Sequence, residues 1–448
     1  MFHLQTKEFL SKVCEQIKYK PIRSEISEEL ENHIQELKES YIQEGIQEYE
    51  AEEKAITQMG QAEEIGKRLN KIHKPKMNLQ LLMLTLILLG FGFLLTHIDN
   101  ADAWKSNLIY ISISIIPFLL IYFFDYKKLQ KHSYLIYCIA TIALLGPIIS
   151  GDTTWSTRSV TRIIAMPLYI ISFVGFIENI SKKSEIKIEY IKTYNINVKI
   201  VIALLSVISL IIMLQYSRSL MWLLLLIYYT IVTSKVIQTK NKKYIKKLLK
   251  ITGISIIIAT SIWLGNVAKR NEYEWEIHKI AIRFNPEIDP DMAWQAMLER
   301  EVMKSAKILG EIDNLDTKKT LLFNAEKGIF TLMAILINYG WIISILMIIM
   351  VLSFSIKLIR DVTKIKDMYG KLLIIGIASS FIFRSIVCII VNLNAGLLSI
   401  NAGIPFISYG KVNLLIDILS LAVIFSVYRR KNITINLSKE SINVMEAN

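Results

Sequence analysis

Long apolar blocks alternate with short polar stretches from residue 78 to residue 428. Each block has roughly 17 to 26 residues, which is enough helix to cross about 30 Å of hydrocarbon. The predicted spans are 78–98, 107–125, 133–150, 162–180, 198–216, 219–236, 251–267, 328–353, 372–393 and 412–428. The pattern therefore predicts an all-α fold, a polytopic membrane bundle of about ten transmembrane helices.

The first 76 residues have a different pattern, in which polar and charged residues dominate. One apolar stripe recurs there at three- and four-residue steps: Ile26, Leu30, Ile34, Leu37 and Tyr41. This spacing predicts an amphipathic helix that Gly45 ends, and Gly60 ends the next one. His33 adjoins the stripe and is expected to be packed or solvated rather than a ligand. We predict a cytoplasmic helical domain over 1–76, a membrane domain over 77–432 and a tail over 433–448.

Composition and charge agree with a membrane protein and give it an orientation. Hydrophobic residues make up 53% of the chain, charged residues 20%, and the net charge is +13. Such a charge also suits nucleic-acid binding, but Lys and Arg concentrate in alternate connections: 126–132, 181–197, 237–250 and 354–371. Basic loops face the cytoplasm. We therefore expect a multi-pass plasma-membrane protein with both termini cytoplasmic and no nucleic-acid partner.

Motifs for soluble cofactor chemistry do not occur in this sequence. Cys14, Cys138 and Cys388 show no CxxC or Cys/His ligand spacing, so neither a disulfide framework nor a zinc site is indicated. There is no Walker or GxGxxG motif, which argues against an ATPase or a dinucleotide enzyme.

Three features within or beside the apolar blocks predict function. The external connection 268–327 is long and charged, and long loops are often functional. A short apolar loop rich in Gly and Pro precedes the last span, where non-helical backbone must be buried or line a cavity. Arg384 and Asp417 are charges within predicted spans, which marks them as candidates either for lining a site or for pairing with each other or with neighbouring polar residues.

The residues of that loop carry a family resemblance. Gly396-Leu397-Leu398 and the stretch PFISYG (405–410) resemble the end of SEDS proteins: FtsW, RodA and SpoVE, the polytopic glycosyltransferases of bacterial cell-wall synthesis. Weaker matches precede it, with Trp294 standing for a family tyrosine: Gly151, Trp155, Gln215, Arg283 and Gln295. The resemblance covers 78–430 and implies the same ten-span fold.

Residues 22–73 resemble a different known unit, the prefix domain ahead of many Gram-positive permeases. The similar stretches are EELENHI, EG, AEEKAITQMG and IGKRLNKIH. This resemblance implies a cytoplasmic regulatory or docking module. It also keeps a permease or membrane sensor open as an alternative function.

The SEDS resemblance implies a reaction, partners and site residues. Family members polymerise lipid II in division, elongation or sporulation, which implies a peptidoglycan glycosyltransferase, a possible Mg²⁺ or Mn²⁺ ion and a class B penicillin-binding protein as partner. The family's catalytic Asp precedes span eight, where this chain offers Glu326, or Lys327 in an ungapped match. Glu326 is therefore the candidate general base, with no metal ligand assigned. The candidate substrate-lining residues are Trp155, Arg283, Gln295, Pro405, Ser408, Tyr409, Gly410 and Asp417.

Several family positions are changed in this chain. Tyr216–Ser219 replaces a Pro-Asp-Leu-Gly stretch, and Lys304–Gly310 replaces a glycine-rich turn. These changes support the alternative of a catalytically silent homologue that regulates or scaffolds a wall-synthesis partner.

Overall fold

The computed structural model describes most of the chain. The described residues are 4–73, 78–99, 101–151, 154–185, 204–214, 216, 218–239, 253–254, 257, 261, 265, 278, 281–282, 284–313, 331–392, 404–407 and 411–431. Contacts between Cα atoms divide the chain into two units. The first is Met1–Asn78 with Lys364–Asp367 and Tyr428–Asn448, and the second is Leu79–Thr363 with Met368–Val427.

Among the described residues of the first unit, four helices between Leu4 and His73 surround one apolar core. They are α1 (Leu4–Glu15), α2 (Arg23–Gln43), α3 (Glu48–Met59) and α4 (Ala62–His73). The predicted stripe is confirmed, because Ile26, Leu30 and Ile34 are buried in this core and Leu37 and Tyr41 pack against it. Burial also raises the pKa of the Cys14 thiol.

The glycine predictions for the first unit also agree with the structure, and His33 is packed there. Gly45 and Gly60 follow α2 and α3 with φ of 91° and 92°, a backbone conformation that favours glycine. His33 is largely buried beside Glu36, with 3.7 Å between its Nδ1 and the carboxylate Oε2.

Helices also build the second unit. In chain order they are α5 (Leu79–Asp99), α6 (Ala101–Phe123), α7 (Tyr126–Lys131), α8 (Ser133–Ile149), α9 (Trp155–Glu185), α10 (Leu204–Leu214), α11 (Arg218–Thr239), α12 (Pro290–Ser305), α13 (Thr331–Val362), α14 (Met368–Asn392) and α15 (Lys411–Arg429). Short 3₁₀ turns lie at Lys20–Ile22 in the first unit and Pro286–Ile288 in the second.

Nine of the ten predicted spans coincide with apolar helices of the described residues. Helices α9, α11, α13, α14 and α15 are long and apolar enough to cross a membrane, and α5, α6, α8 and α10 contain shorter apolar helices. The seventh predicted span, 251–267, lies almost entirely outside the described residues. The chain is thus a multi-pass membrane protein.

The connections contain more helix than the sequence predicts. Residues 126–132 were expected to be a loop but form α7, whose first turn is capped by Asp125: its carboxylate accepts a hydrogen bond from the Lys127 N–H at 3.0 Å. Most of 354–371 is also helical, because α13 continues to Val362 and α14 begins at Met368. Charged residues are compatible with a helix that tertiary contacts stabilise. The polar residues therefore made the predicted helices too short.

Helix α13 breaks at Gly340, and the sequence pattern does not indicate this break. Gly340 has φ 81° and ψ −173°, a region that is essentially restricted to glycine. The amides of Trp341 and Ile342 instead donate to the carbonyls of Lys307 and Ile308, both at 3.1 Å. The segment after α12 therefore supplies the hydrogen bonds that the broken helix loses.

We expect Gly340→Ala to destabilise the protein by about 2–5 kcal/mol, because a Cβ there would lie 2.6 Å from the Lys307 carbonyl oxygen at a strained φ. Thermal unfolding in detergent, followed by size-exclusion chromatography, measures this loss. Gly146→Ala is the control, since a Cβ there meets nothing within 4 Å. Equal melting temperatures for the two variants would contradict the prediction.

Candidate functional site

A tight turn at Ile404–Ile407 forms the described part of the predicted loop before the last span. The Ile407 N–H donates to the Ile404 carbonyl at 3.2 Å. Pro405 is the second residue of this turn, and Phe406 is the third with φ 66°, the pattern of a type II turn. A bulky residue in the left-handed region costs about 1–2 kcal/mol. The surrounding contacts must therefore hold Phe406 in place.

An ion pair between α14 and α15 fixes the backbone of this turn. The Arg384 guanidinium donates to both carboxylate oxygens of Asp417, with Nη1–Oδ1 at 2.5 Å and Nη2–Oδ2 at 3.4 Å. The Phe406 N–H donates to Asp417 Oδ2 at 3.2 Å. The Asp417 side chain is 1% exposed and that of Arg384 is 13% exposed. Such a buried charge is tolerated because its partners satisfy it.

Aromatic and backbone contacts enclose the same turn. The Phe406 ring packs edge-on against Phe354 of α13 and Phe381 of α14, with ring centroids 5.3 and 5.1 Å apart. On the α5 side, Gly92 approaches so closely that a Cβ would lie 2.7 Å from the Phe406 carbonyl oxygen. The turn is thus held by four helices: α5, α13, α14 and α15.

The structure brings together two of the predicted site residues. Pro405 lies in the turn and Asp417 holds the turn's next residue, Phe406. Trp155 begins α9 and Gln295 lies in α12, and their side chains are outside the description. The other predicted site residues lie outside the described residues and stay predictions: Arg283, Glu326, Ser408, Tyr409 and Gly410.

A second intramembrane ion pair was missed by our sequence analysis, which named Arg384 and Asp417 as the charges within spans. The Lys235 ammonium on α11 donates to the Glu178 carboxylate on α9 at 2.6 Å, and the two side chains are 4% and 8% exposed. Both residues lie just inside the ends of predicted spans. Charged residues are common where a polar loop begins. The sequence therefore gave no sign that these two side chains are buried.

Within the described part of the site, the carboxylate of Asp417 is not a free base. Asp417 is engaged by Arg384 and by the Phe406 N–H, so its oxygens already accept hydrogen bonds. No group of three or more His, Cys, Asp or Glu residues that could hold a metal occurs within the described ranges. The rigid turn leads directly into residues 408–410, the remainder of the PFISYG stretch.

Comparison with known families decides the lineage of this bundle. The sequence pattern of the FtsW/RodA/SpoVE family, described as cell cycle proteins, matches residues 76–433. This chain belongs to the FtsW/RodA/SpoVE (SEDS) family. The match covers the whole apolar part of the chain, and it includes both ion pairs and the turn.

Solved structures show the same fold for this SEDS protein. One comes from a study titled "Structural coordination of polymerization and crosslinking by a peptidoglycan synthase complex", with a TM-score of 0.57 and 12% identity over 79% of this chain and 98% of that one. A point mutant of the rod shape determining protein RodA from Thermus thermophilus gives 0.51 and 11% identity over 79% and 98%. The unmutated RodA gives 0.50 and 11% over 79% and 97%. No curated protein matches the sequence of this chain.

A double-mutant cycle tests the ion pair of this SEDS protein. We expect Arg384→Met to cost about 3–5 kcal/mol, because it leaves the Asp417 charge buried with the Phe406 N–H as its remaining partner seen here. Adding Asp417→Asn removes that charge and should recover part of the loss. Thermal unfolding of both single variants and the double variant measures the coupling. Strictly additive losses would show that the two side chains are independent.

Two glycines two residues apart on α5 test the close approach to the turn. Gly92→Ala should displace the Phe406 carbonyl and destabilise the SEDS protein by about 1–3 kcal/mol. Gly90→Ala is the matched control, because a Cβ at Gly90 meets nothing within 4 Å. Thermal unfolding of both variants measures the difference, and a larger loss for Gly90→Ala would refute this packing.

Proposed function

We propose that this SEDS protein acts in bacterial cell-wall synthesis by binding lipid II and polymerising it into glycan strands. The observation that carries the proposal is the PFISYG stretch, whose first residues form a turn fixed by Arg384 and Asp417. A turn held at four helices is a rigid support for the polar residues 408–410 that follow it. Rigid support is what a site needs in order to position a substrate for transfer.

The proposed reaction joins two disaccharide units by displacement of a lipid pyrophosphate. Glu326 takes the proton from the acceptor hydroxyl, whose oxygen bonds to the anomeric carbon of the donor sugar. The bond from that carbon to the pyrophosphate oxygen breaks, and the pyrophosphate leaves with the electron pair. A divalent cation, Mg²⁺ or Mn²⁺, would neutralise charge on the leaving group. We assign it no ligand set.

The remaining predictions belong to the same proposal. A class B penicillin-binding protein is the proposed partner, supported by a similar structure whose title names a peptidoglycan synthase complex. The basic connections and the basic end of α15 support cytoplasmic termini. Residues 1–76 would then act as a cytoplasmic docking or regulatory module.

A catalytically silent SEDS homologue is the second candidate. Lys327 stands where an ungapped match expects the catalytic Asp, and Tyr216–Ser219 replaces a polar family stretch. Such a protein would still bind lipid II or its partner and would regulate synthesis. A permease or sensor is less well supported, since residues 76–433 match a different family.

Purified full-length protein with fluorescent lipid II and Mg²⁺ or Mn²⁺ tests both candidates. We expect glycan polymer on gels from the wild-type protein. Glu326→Gln should lower its rate by about 10²–10⁴-fold, the usual contribution of a general base. Lys327→Ala is the matched control and should retain activity.

The outcomes separate the function from the site assignment. Polymer formed equally by Glu326→Gln and wild type would show that another residue is the base. Wild-type protein that binds lipid II but forms no polymer would establish the silent homologue. Protein that does neither would overturn the polymerase, and it would leave only a silent homologue that binds a partner protein.

A further inference from the structure

The segment Lys307–Ile312, after α12, lies against the break in α13. The Gly310 N–H donates to the Tyr339 carbonyl at 3.1 Å, and the Ile312 N–H donates to the Ile337 carbonyl at 2.9 Å. On the C-terminal side of Gly340, the Ile342 N–H donates to the Ile308 carbonyl. The segment is therefore fixed to α13 on both sides of Gly340.

Two large apolar side chains of this segment point away from the protein. Ile308 is 73% exposed and Leu309 is 63% exposed. Val302 on α12, before the segment, and Ile312, at its end, are instead buried against α13. Ile308 and Leu309 thus form an exposed apolar tip between two buried residues.

The exposed tip continues a lipid-facing stripe on α13. Beyond the break, Ile342, Ile345, Leu346 and Ile349 are exposed at three- and four-residue steps, while the opposite face, with Ser344, Met347 and Val351, is buried. An exposed aliphatic stripe on a spanning helix faces acyl chains. Ile308 is hydrogen-bonded through its backbone to Ile342, the first residue of the stripe.

The length of α13 sets the depth of the tip. The 22 residues from Trp341 to Val362 extend about 33 Å as helix, close to the thickness of the hydrocarbon core. Lys357 and Arg360 lie near the far end, so the break lies near the opposite membrane interface. Trp341 fits that depth, because tryptophan concentrates at the interface.

We propose that Lys307–Gly310 dips into the bilayer, with Ile308 and Leu309 among the acyl chains next to Ile342. Lys304 and Lys307 precede the tip in the chain, and long basic side chains reach back from such a depth to the headgroups. Lys307 Nζ already lies 2.9 Å from an Asp313 carboxylate oxygen, and the Asp313 side chain is 87% exposed. The external connection 268–327 is then partly a membrane-contacting element, and lipid is the partner of its tip.

Spin labels at single cysteines test this depth in the full chain in phosphatidylcholine–phosphatidylglycerol bilayers. Ile308→Cys and Leu309→Cys are made in a Cys14→Ser, Cys138→Ser background that retains the buried Cys388. Ile345→Cys is the lipid-facing control and Asp313→Cys the aqueous one. Power saturation compares collisions with oxygen, which concentrates in lipid, and with a water-soluble nickel chelate.

At positions 308 and 309 we expect oxygen collisions to exceed nickel collisions several-fold, as at 345, and the reverse at 313. A nickel preference at 308 and 309 would place the tip in water and overturn the proposal. Low collision rates with both reagents would overturn it as well, because protein would then cover the tip. A bimane label at Leu309→Cys gives an independent readout, since its emission shifts to the blue in lipid but not in water.

Discussion

A backbone amide or a charge within hydrocarbon has no water to bind, and each one without a partner there costs several kcal/mol. In the part of the chain that the structure describes, four features face this requirement within or at the edge of the hydrocarbon: the turn Ile404–Ile407, the break at Gly340 and the pairs Arg384–Asp417 and Glu178–Lys235. Each is satisfied from within the protein. At the break, the carbonyls of Lys307 and Ile308 replace the lost helical acceptors.

The same requirement shapes the site. Asp417 needs partners because it is buried, and the two it finds are a guanidinium and the amide of a strained turn residue. The pair thereby keeps Phe406 left-handed, and the aromatic packing of Phe354 and Phe381 adds to this restraint. The same contacts therefore neutralise the buried charge of Asp417 and hold the turn at the start of the PFISYG stretch.

Sequence patterns predicted the elements better than the contacts between them. The apolar blocks located nine helices, and the period of Ile26, Leu30 and Ile34 located the first core, because both patterns follow directly from helix geometry. The helix at 126–131 and the extension of α13 to Val362 were missed because tertiary contacts decide such boundaries. Gly340 looked like any glycine in a span, since its φ depends on the distant Lys307.

For the candidate site, the sequence likewise predicted the elements but not the contacts between them. PFISYG indicated a non-helical loop before the last span, and Asp417 stood out as a charge within a span. The sequence left its role open, because pairing with Arg384 depends on how two separate helices cross. Glu178 and Lys235 were overlooked because each lies just inside the end of a predicted span, where charge is common.

The Glu178–Lys235 pair also constrains how the chain is made. Ribosomes synthesise Glu178 first, and 57 residues separate it from Lys235. At about 5–20 residues per second, α9 waits roughly 3–11 s for the cation that neutralises its carboxylate. During that interval Glu178 must keep to the bilayer edge or remain in the insertion machinery. The order of synthesis thus makes α9 a late-maturing helix, although only four of the eleven described helices of the second unit precede it in the chain.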